Sequence, residues 1–225
     1  TGGAHPYNEP WSPPDEGMNA TQTVRAVWHA AVQRIWYQRD SYVLLQLQLP
    51  AAVRGSGYGP PAQVWVNLTS AVPGRLDVEL VLVGKTPTRL FETMDLEFRP
   101  ALPADAGAWR LLVDKIGSVV DTADVVAKGG AALHGVDPSG GLEFASPARR
   151  LRVTTVDAGL VAPGCNLCSW NFTAYDSEPA RAADGAAVNL FSNLYTTNYP
   201  LWYPWVPSDQ LMRFRFQLDA RPAKR

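Results

Sequence analysis

Leu211-Met212-Arg213-Phe214-Arg215-Phe216-Gln217-Leu218 decides the fold class. In an extended chain successive side chains point to opposite faces. Phe214, Phe216 and Leu218 then share one face, and Arg213, Arg215 and Gln217 share the other. A helix would scatter both sets around its circumference. The stretch predicts a strand that is dry on one face and wet on the other, as in an antiparallel sheet packed on one side only.

The same period recurs upstream. Gln63-Val64-Trp65-Val66-Asn67-Leu68 alternates cleanly, and Arg75-Leu76-Asp77-Val78-Glu79-Leu80-Val81-Leu82-Val83 does so over its first half. Glu92-Thr93-Met94-Asp95-Leu96-Glu97-Phe98 repeats the pattern up to Pro100. Ser41-Tyr42-Val43-Leu44-Leu45-Gln46-Leu47-Gln48-Leu49 ends at Pro50, its leucines at 45, 47 and 49 alternating with glutamines. Further strands are expected at Trp109-Arg110-Leu111-Leu112-Val113, Leu142-Glu143-Phe144, Leu151 to Val156 and Val188 to Tyr195. Short strands separated by turn residues, with no strand–helix alternation, predict an all-β antiparallel sandwich with few or no helices.

Three segments read differently. Residues 1 to 22 hold His5-Pro6, Glu9-Pro10 and Ser12-Pro13-Pro14, too many prolines for regular structure, and are expected to form an irregular arm. Residues 23 to 39 carry two readings. Val24, Trp28, Ala31 and Ile35 recur at helical spacing, whereas Arg34-Ile35-Trp36-Tyr37-Gln38 alternates like a strand. Asp121 to Lys128 is expected to hold one helical turn before Gly129-Gly130. A single sandwich over 23–218 and a tail over 219–225 complete the expected organisation.

Composition bounds the function. Of the 225 residues 46% are hydrophobic and 18% charged, which places most of the chain among folded rather than disordered sequences. The net charge of −1 offers no basic field for nucleic acid. No apolar run approaches the ~20 residues of a membrane helix. The two cysteines, Cys165 and Cys168, form a CxxC after Ala162-Pro163-Gly164. A zinc site needs a second ligand pair, and His5, His29 and His134 are scattered. A loop disulfide or two free thiols is the simpler reading, and neither a metal nor a cofactor is expected. Asn19-Ala20-Thr21, Asn67-Leu68-Thr69 and Asn171-Phe172-Thr173 are glycosylation sequons and lean toward secreted or luminal residence.

Chemistry-bearing residues are sparse. A glycosidase needs two carboxylates facing each other about 5–10 Å apart, and no such pair announces itself. Glu92, Asp114, Asp121 and Asp124 have the richest context, each read as a surface or ion-pair residue. No nucleophile elbow is present, so a self-contained enzyme would have to use His134, which reads as a hydrogen-bonded core or sheet-edge residue. Arg89 and Glu92 read as an ion pair locking the turn between two strands, with binding of a polar ligand as the other reading. Asn193 to Trp205 is the densest aromatic stretch. Buried, it is core and domain contact, the usual place of aromatics; exposed, its rings can stack on sugar C–H faces while Asn pairs with hydroxyls, so Asn198, Trp202 and Trp205, with His134, are the candidate glycan contacts.

Four ordered stretches carry a resemblance. They are Gly84-Lys85-Thr86-Pro87-Thr88-Arg89-Leu90-Phe91-Glu92 with Phe98-Arg99-Pro100; Asp114-Lys115-Ile116-Gly117 with Val120-Asp121, Asp124-Val125-Val126 and Leu133-His134-Gly135-Val136; Thr155 to Gly164; and Val188-Asn189-Leu190-Phe191-Ser192-Asn193 with Thr197 to Tyr203 and Arg213-Phe214-Arg215-Phe216. In this order the chain resembles, over roughly residues 35 to 218, the C-terminal β domain of a family related to family 38 glycoside hydrolases, the α-mannosidase group. It departs at Phe91, where Pro is expected, and at Tyr195-Thr196, where Trp-Gly is expected. The resemblance implies a galactose-mutarotase-like supersandwich behind a catalytic barrel. It also implies that metal and nucleophile belong to that barrel, so that no catalytic residue carries over to this chain. The expected partners are the preceding barrel and a glycan. The alternative expectation is a free-standing carbohydrate-binding module.

Overall fold

The computed structural model describes residues 30–54, 61–85, 93–115, 117–124, 134–135, 140–164, 181–192 and 211–222. These hold thirteen strands. They are β1 (Ala31–Gln38), β2 (Tyr42–Gln48), β3 (Gln63–Thr69), β4 (Arg75–Val83), β5 (Thr93–Phe98), β6 (Arg110–Lys115), β7 (Ser118–Asp121), β8 (His134–Gly135), β9 (Gly141–Ala145), β10 (Arg149–Thr155), β11 (Leu160–Pro163), β12 (Ala186–Ser192) and β13 (Leu211–Pro222). The helical content among the described residues is one α-turn, Ala51–Arg54, and three 3₁₀ turns. None is long and apolar enough to cross a membrane.

Two antiparallel sheets form, in agreement with the period-2 reading. The larger runs β1-β2-β3-β4-β13-β10-β9-β6-β7 and the smaller β5-β12-β11-β8. β1 to β4 meander through neighbours, with short turns between β1 and β2 and between β3 and β4. At the first, Ser41 N–H bonds the Gln38 carbonyl at 3.1 Å, with Asp40 at a positive φ of 57°. β13, the last strand in the chain, then inserts between β4 and β10. This long-range pairing welds the meander to the rest of the sheet.

The dry faces meet between the sheets. Leu80, Leu82, Phe214, Phe216, Val153, Leu142, Phe144, Leu111 and Val113 of the larger sheet pack with Val161, Ala186, Val188 and Leu190 of the smaller. Phe214 and Phe216 are buried while Arg213 and Arg215 are exposed, as the alternation at 211–218 requires. The Phe216 ring meets Phe98 of the smaller sheet edge-on, centroids 5.4 Å apart and planes at 63°. Burying each such side chain contributes about 1.5–3 kcal/mol.

Some elements differ from expectation. Residues 31 to 38 are strand, so tertiary pairing with β2 overrides the helical spacing of Ala31 and Ile35. β7 and β11 had no strand signal. Each has four residues, and Leu160-Val161-Ala162-Pro163 is an unbroken apolar run with no alternation. The helical turn expected from Asp121 is a 3₁₀ turn at Thr122–Asp124, where Asp121 Oδ1 accepts from Ala123 N–H at 2.9 Å. β13 continues past Leu218, where the sandwich was expected to end, to Pro222. Its backbone still pairs with β10 there, and a ladder needs no apolar side chain. The leucines of β2 do not alternate in burial with its glutamines: Val43 to Gln48 are all half-buried. All eight residues of β1 are exposed.

Candidate functional site on the outer face of the larger sheet

The wet faces of β3, β4 and β13 lie side by side. The register sets Asn67 opposite Glu79 and Glu79 opposite Arg215. One step along, Thr69 faces Asp77 and Asp77 faces Gln217. Because the side-chain period is two, these residues must all emerge on the face opposite Phe214 and Phe216. With Arg75 and Val156 they line a shallow cleft of about 260 Å³.

Arginine–carboxylate forks shape it. Arg213 clamps Glu79 with Nε to Oε1 at 2.8 Å and a terminal nitrogen to Oε2 at 3.0 Å. Arg215 clamps Asp157, from the turn after β10, with Nε to Oδ2 at 2.9 Å and a terminal nitrogen to Oδ1 at 2.7 Å. The Arg215 backbone N–H adds a third bond to Asp157 at 2.8 Å. Arg75 donates to Asp77 at 2.8 Å. Parallel N–H···O bonds of this kind fix both partners in one plane. The side-chain hydrogen bond from Arg215 holds the Asp157 carboxyl below its ordinary 3.8, against an opposing push from partial burial, with the backbone bond adding to the lowering. The same contact raises the Arg215 guanidinium. Two cations (Arg75, Arg215) and two anions (Asp77, Glu79) line the cleft, so its charges cancel.

Single arginine–carboxylate contacts continue across the sheet. Arg152 reaches Asp114 at 3.3 Å, Arg150 reaches Glu143 at 2.8 Å, Arg221 reaches Asp219 at 3.2 Å, and Arg110 pairs with Asp121. The surface or ion-pair reading of Asp114 and Asp121 therefore holds.

An aromatic pair stands beside the cleft. Trp36 of β1 stacks on Trp65 of β3 with centroids 5.5 Å apart and planes at 24°. Trp65 is two residues from Asn67 and so on the same face, about 7 Å away along the strand. Its indole N–H is held by Gln63 Oε1 at 3.0 Å, which fixes the ring orientation. Trp36 remains 38% exposed. Asn67 Oδ1 is buried without a hydrogen-bond partner, a condition that costs about 1–3 kcal/mol.

Comparison with known structures bears on the architecture. The chain is similar to the GalM/aldose epimerase homologue from C. elegans, with a TM-score of 0.50 at 14% identity over 88% of this chain and 69% of that one. The fold is a galactose-mutarotase-like supersandwich. A galactose mutarotase-like protein from Lactobacillus casei ATCC 334 is also similar, with a TM-score of 0.41 at 11% identity over 84% of this chain and 72% of that one. No protein-family model and no curated protein sequence matches the chain. Identities this low speak to the fold alone.

Most residues singled out by sequence are not among those the structure describes. Asn198, Trp202, Trp205, Arg89, Glu92, Cys165, Cys168, Asn19 and Asn171 lie outside the described residues. His134 belongs to β8, the edge strand of the smaller sheet, where its backbone pairs with Val161. Its side chain is outside the description. Asn67 alone of the sequon asparagines is placed, in an interior strand on the cleft wall. The residues that sequence reading missed are Trp36, Trp65, Glu79, Asp157, Arg213 and Arg215. Their alternation was visible, but the neighbour across the sheet was not.

Proposed function

We propose that the chain is the non-catalytic C-terminal β domain of a glycoside hydrolase related to the α-mannosidases, working beside a catalytic barrel that lies outside it. The observation that carries this reading is the state of the carboxylates on the outer face. Glu79, Asp157, Asp77, Asp114, Glu143, Asp121 and Asp219 are each held by an arginine. A general acid must hold its proton near neutral pH, which calls for a raised pKa. At Asp157 the Arg215 fork works in the opposite sense. The four ordered stretches resemble that family, and one similar structure is named as a GalM/aldose epimerase homologue. Exposed Val32, Ile35 and Tyr37 on β1 give a preceding domain an apolar surface to rest on.

The test is the size of the native polypeptide, by intact mass and terminal peptide mapping from source cells. A product several times longer, with sequence ahead of Thr1, is the expected result. A native product of about this length would overturn the reading. So would glycoside turnover by this chain alone that His134→Ala abolishes. A second reading, the free-standing glycan-binding module, is favoured by the cleft and its tryptophan pair.

A further inference from the structure

We infer that β1 is a dimerisation edge, on which a second copy of this chain adds its own β1 antiparallel about a two-fold axis at Trp36. β1 ends the larger sheet, and among the described residues only β2 pairs with it. Its outward row of N–H and C=O groups is a template for another strand. The other sheet ends are poorer templates. β7 has four residues, β8 has two, and β5 places Asp95 and Glu97 among its six. β1 has eight residues, no proline and one charge, Arg34. Val32, Ile35 and Tyr37 along it are more than half exposed. Monomeric proteins blunt such an edge with charges, proline or a very short strand.

The strand is complementary to itself. Its pairing with β2 shifts register between Val32 and Arg34, so its regular run is Arg34 to Gln38, with Trp36 at the centre. A two-fold axis there sets Trp36 opposite Trp36, Ile35 opposite Tyr37, and Arg34 opposite Gln38 of the other copy. Directly opposed residues share a face. Ile35 and Tyr37 meet on the dry face, where Ile35 extends the row of Leu45, Val66 and buried Leu80. An aromatic beside a β-branched residue is a favourable cross-strand pair, and the axis makes it twice.

Charge complementarity favours a second copy over an unrelated strand. Arg34 has no carboxylate partner among the described residues. Asp40, in the turn after β1, has a side chain 91% exposed and meets Arg39 only at 3.6 Å. The two-fold brings the turn of each copy to the start of the other's strand. Asp40 then lies diagonal to Arg34, within reach of a long side chain, and this pair also forms twice. A contact of this symmetry closes at two copies. It takes the edge of β1 and not the faces of the sheet, so the apolar surface available to a preceding domain is retained.

The test weighs the full 225-residue chain by light scattering and sedimentation over a wide concentration range. Twice the monomer mass is expected at the upper end, falling to the monomer on dilution. Trp36→Lys sets two lysines against each other on the axis and should leave a monomer with unchanged far-ultraviolet circular dichroism. Arg34→Glu should weaken dimerisation at least tenfold, and Arg34→Glu with Asp40→Arg should restore it. Opposed Cα atoms lie about 4.5–5.5 Å apart, inside the range a disulfide spans. Oxidised Trp36→Cys should therefore give a 36–36 linked peptide, whereas Val119→Cys on β7 should give no 119–119 link. Should Trp36→Lys fail to fold, the Arg34–Asp40 swap and the cysteine link decide the matter. A chain that is monomeric at every concentration would overturn the inference. So would a dimer that survives Trp36→Lys, ignores Arg34→Glu or gives no 36–36 link. A monomer that dimerises only after residues 1–29 are deleted would overturn it too, the arm and not a second copy then holding the edge. None of these results depends on the length of the native polypeptide, so this inference and the accessory-domain reading fail separately.

Discussion

Phe216→Ala tests whether the two sheets are held together as the packing indicates. Phe216 is 1% exposed on an interior strand of the larger sheet, and its ring contacts Phe98 of the smaller one. Truncating a buried Phe to Ala costs about 3–5 kcal/mol, the sum of lost transfer free energy and the cavity left behind. With a urea m-value of ~2 kcal/mol/M, a loss of ~4 kcal/mol lowers the midpoint by about 2 M at unchanged m. Gln217→Ala, one residue away on the wet face, should stay within ~0.5 kcal/mol of the parent. A double-mutant cycle with Phe98→Ala should return ~0.5–1.5 kcal/mol of coupling for the edge-on pair. The assay is equilibrium urea unfolding followed by tryptophan fluorescence and circular dichroism. A midpoint shift under about 0.5 M for Phe216→Ala, or strict additivity with Phe98→Ala, would refute the inter-sheet packing.

Three further predictions follow from local geometry. Gly141→Ala should cost about 3 kcal/mol or more, because φ is +80° and the new Cβ would lie 2.1 Å from the Val153 carbonyl oxygen. Gly117→Ala, at φ +93° with nothing within 4 Å, should cost only ~1–2 kcal/mol, and equal midpoints in thermal melts would contradict the contrast. Asp157 has a folded pKa below its ordinary value, so its contribution to stability is present above pH ~4 and fades as pH falls through the depressed value. Asp157→Asn should therefore be less stable than the parent at pH 7 and converge with it in acid; a stability gap unchanged from pH 7 to 2 would count against the Arg215 fork. Asn67 should remain unglycosylated when the chain is expressed in a secretory eukaryotic host, since it sits in a strand paired on both sides with Oδ1 buried. A glycopeptide at Asn67 in mass spectrometry would contradict that placement.

The period-2 pattern at 211–218, 63–68 and 75–80 was enough to assign strands, faces and an antiparallel class. This works because side-chain direction along a strand is a local property of the backbone. The Trp65, Asn67 and Thr69 face could be drawn from the sequence, and so could the Asp77–Glu79 and Arg213–Arg215 faces. Alternation failed where burial is two-sided, as at Leu160–Pro163, and where a strand is very short, as at Ser118–Asp121. It also gave the wrong weight to β2, whose burial depends on what covers the edge of the sheet.

Strand order came only from the tertiary structure. Nothing local to Leu211–Pro222 states that it pairs with Arg75–Val83 on one side and Arg149–Thr155 on the other. Those pairings bring Glu79 to Arg213 and Asp157 to Arg215 across 134 and 58 residues of chain. The cleft and its charge balance exist only once that order is set. Sequence by itself determined the antiparallel class and, for the strands that alternate, which side meets water, because those follow from the chemistry of neighbouring residues. Which strands lie side by side, and so which side chains converge, is decided by burying all the dry faces at once, and only the folded chain satisfies that condition.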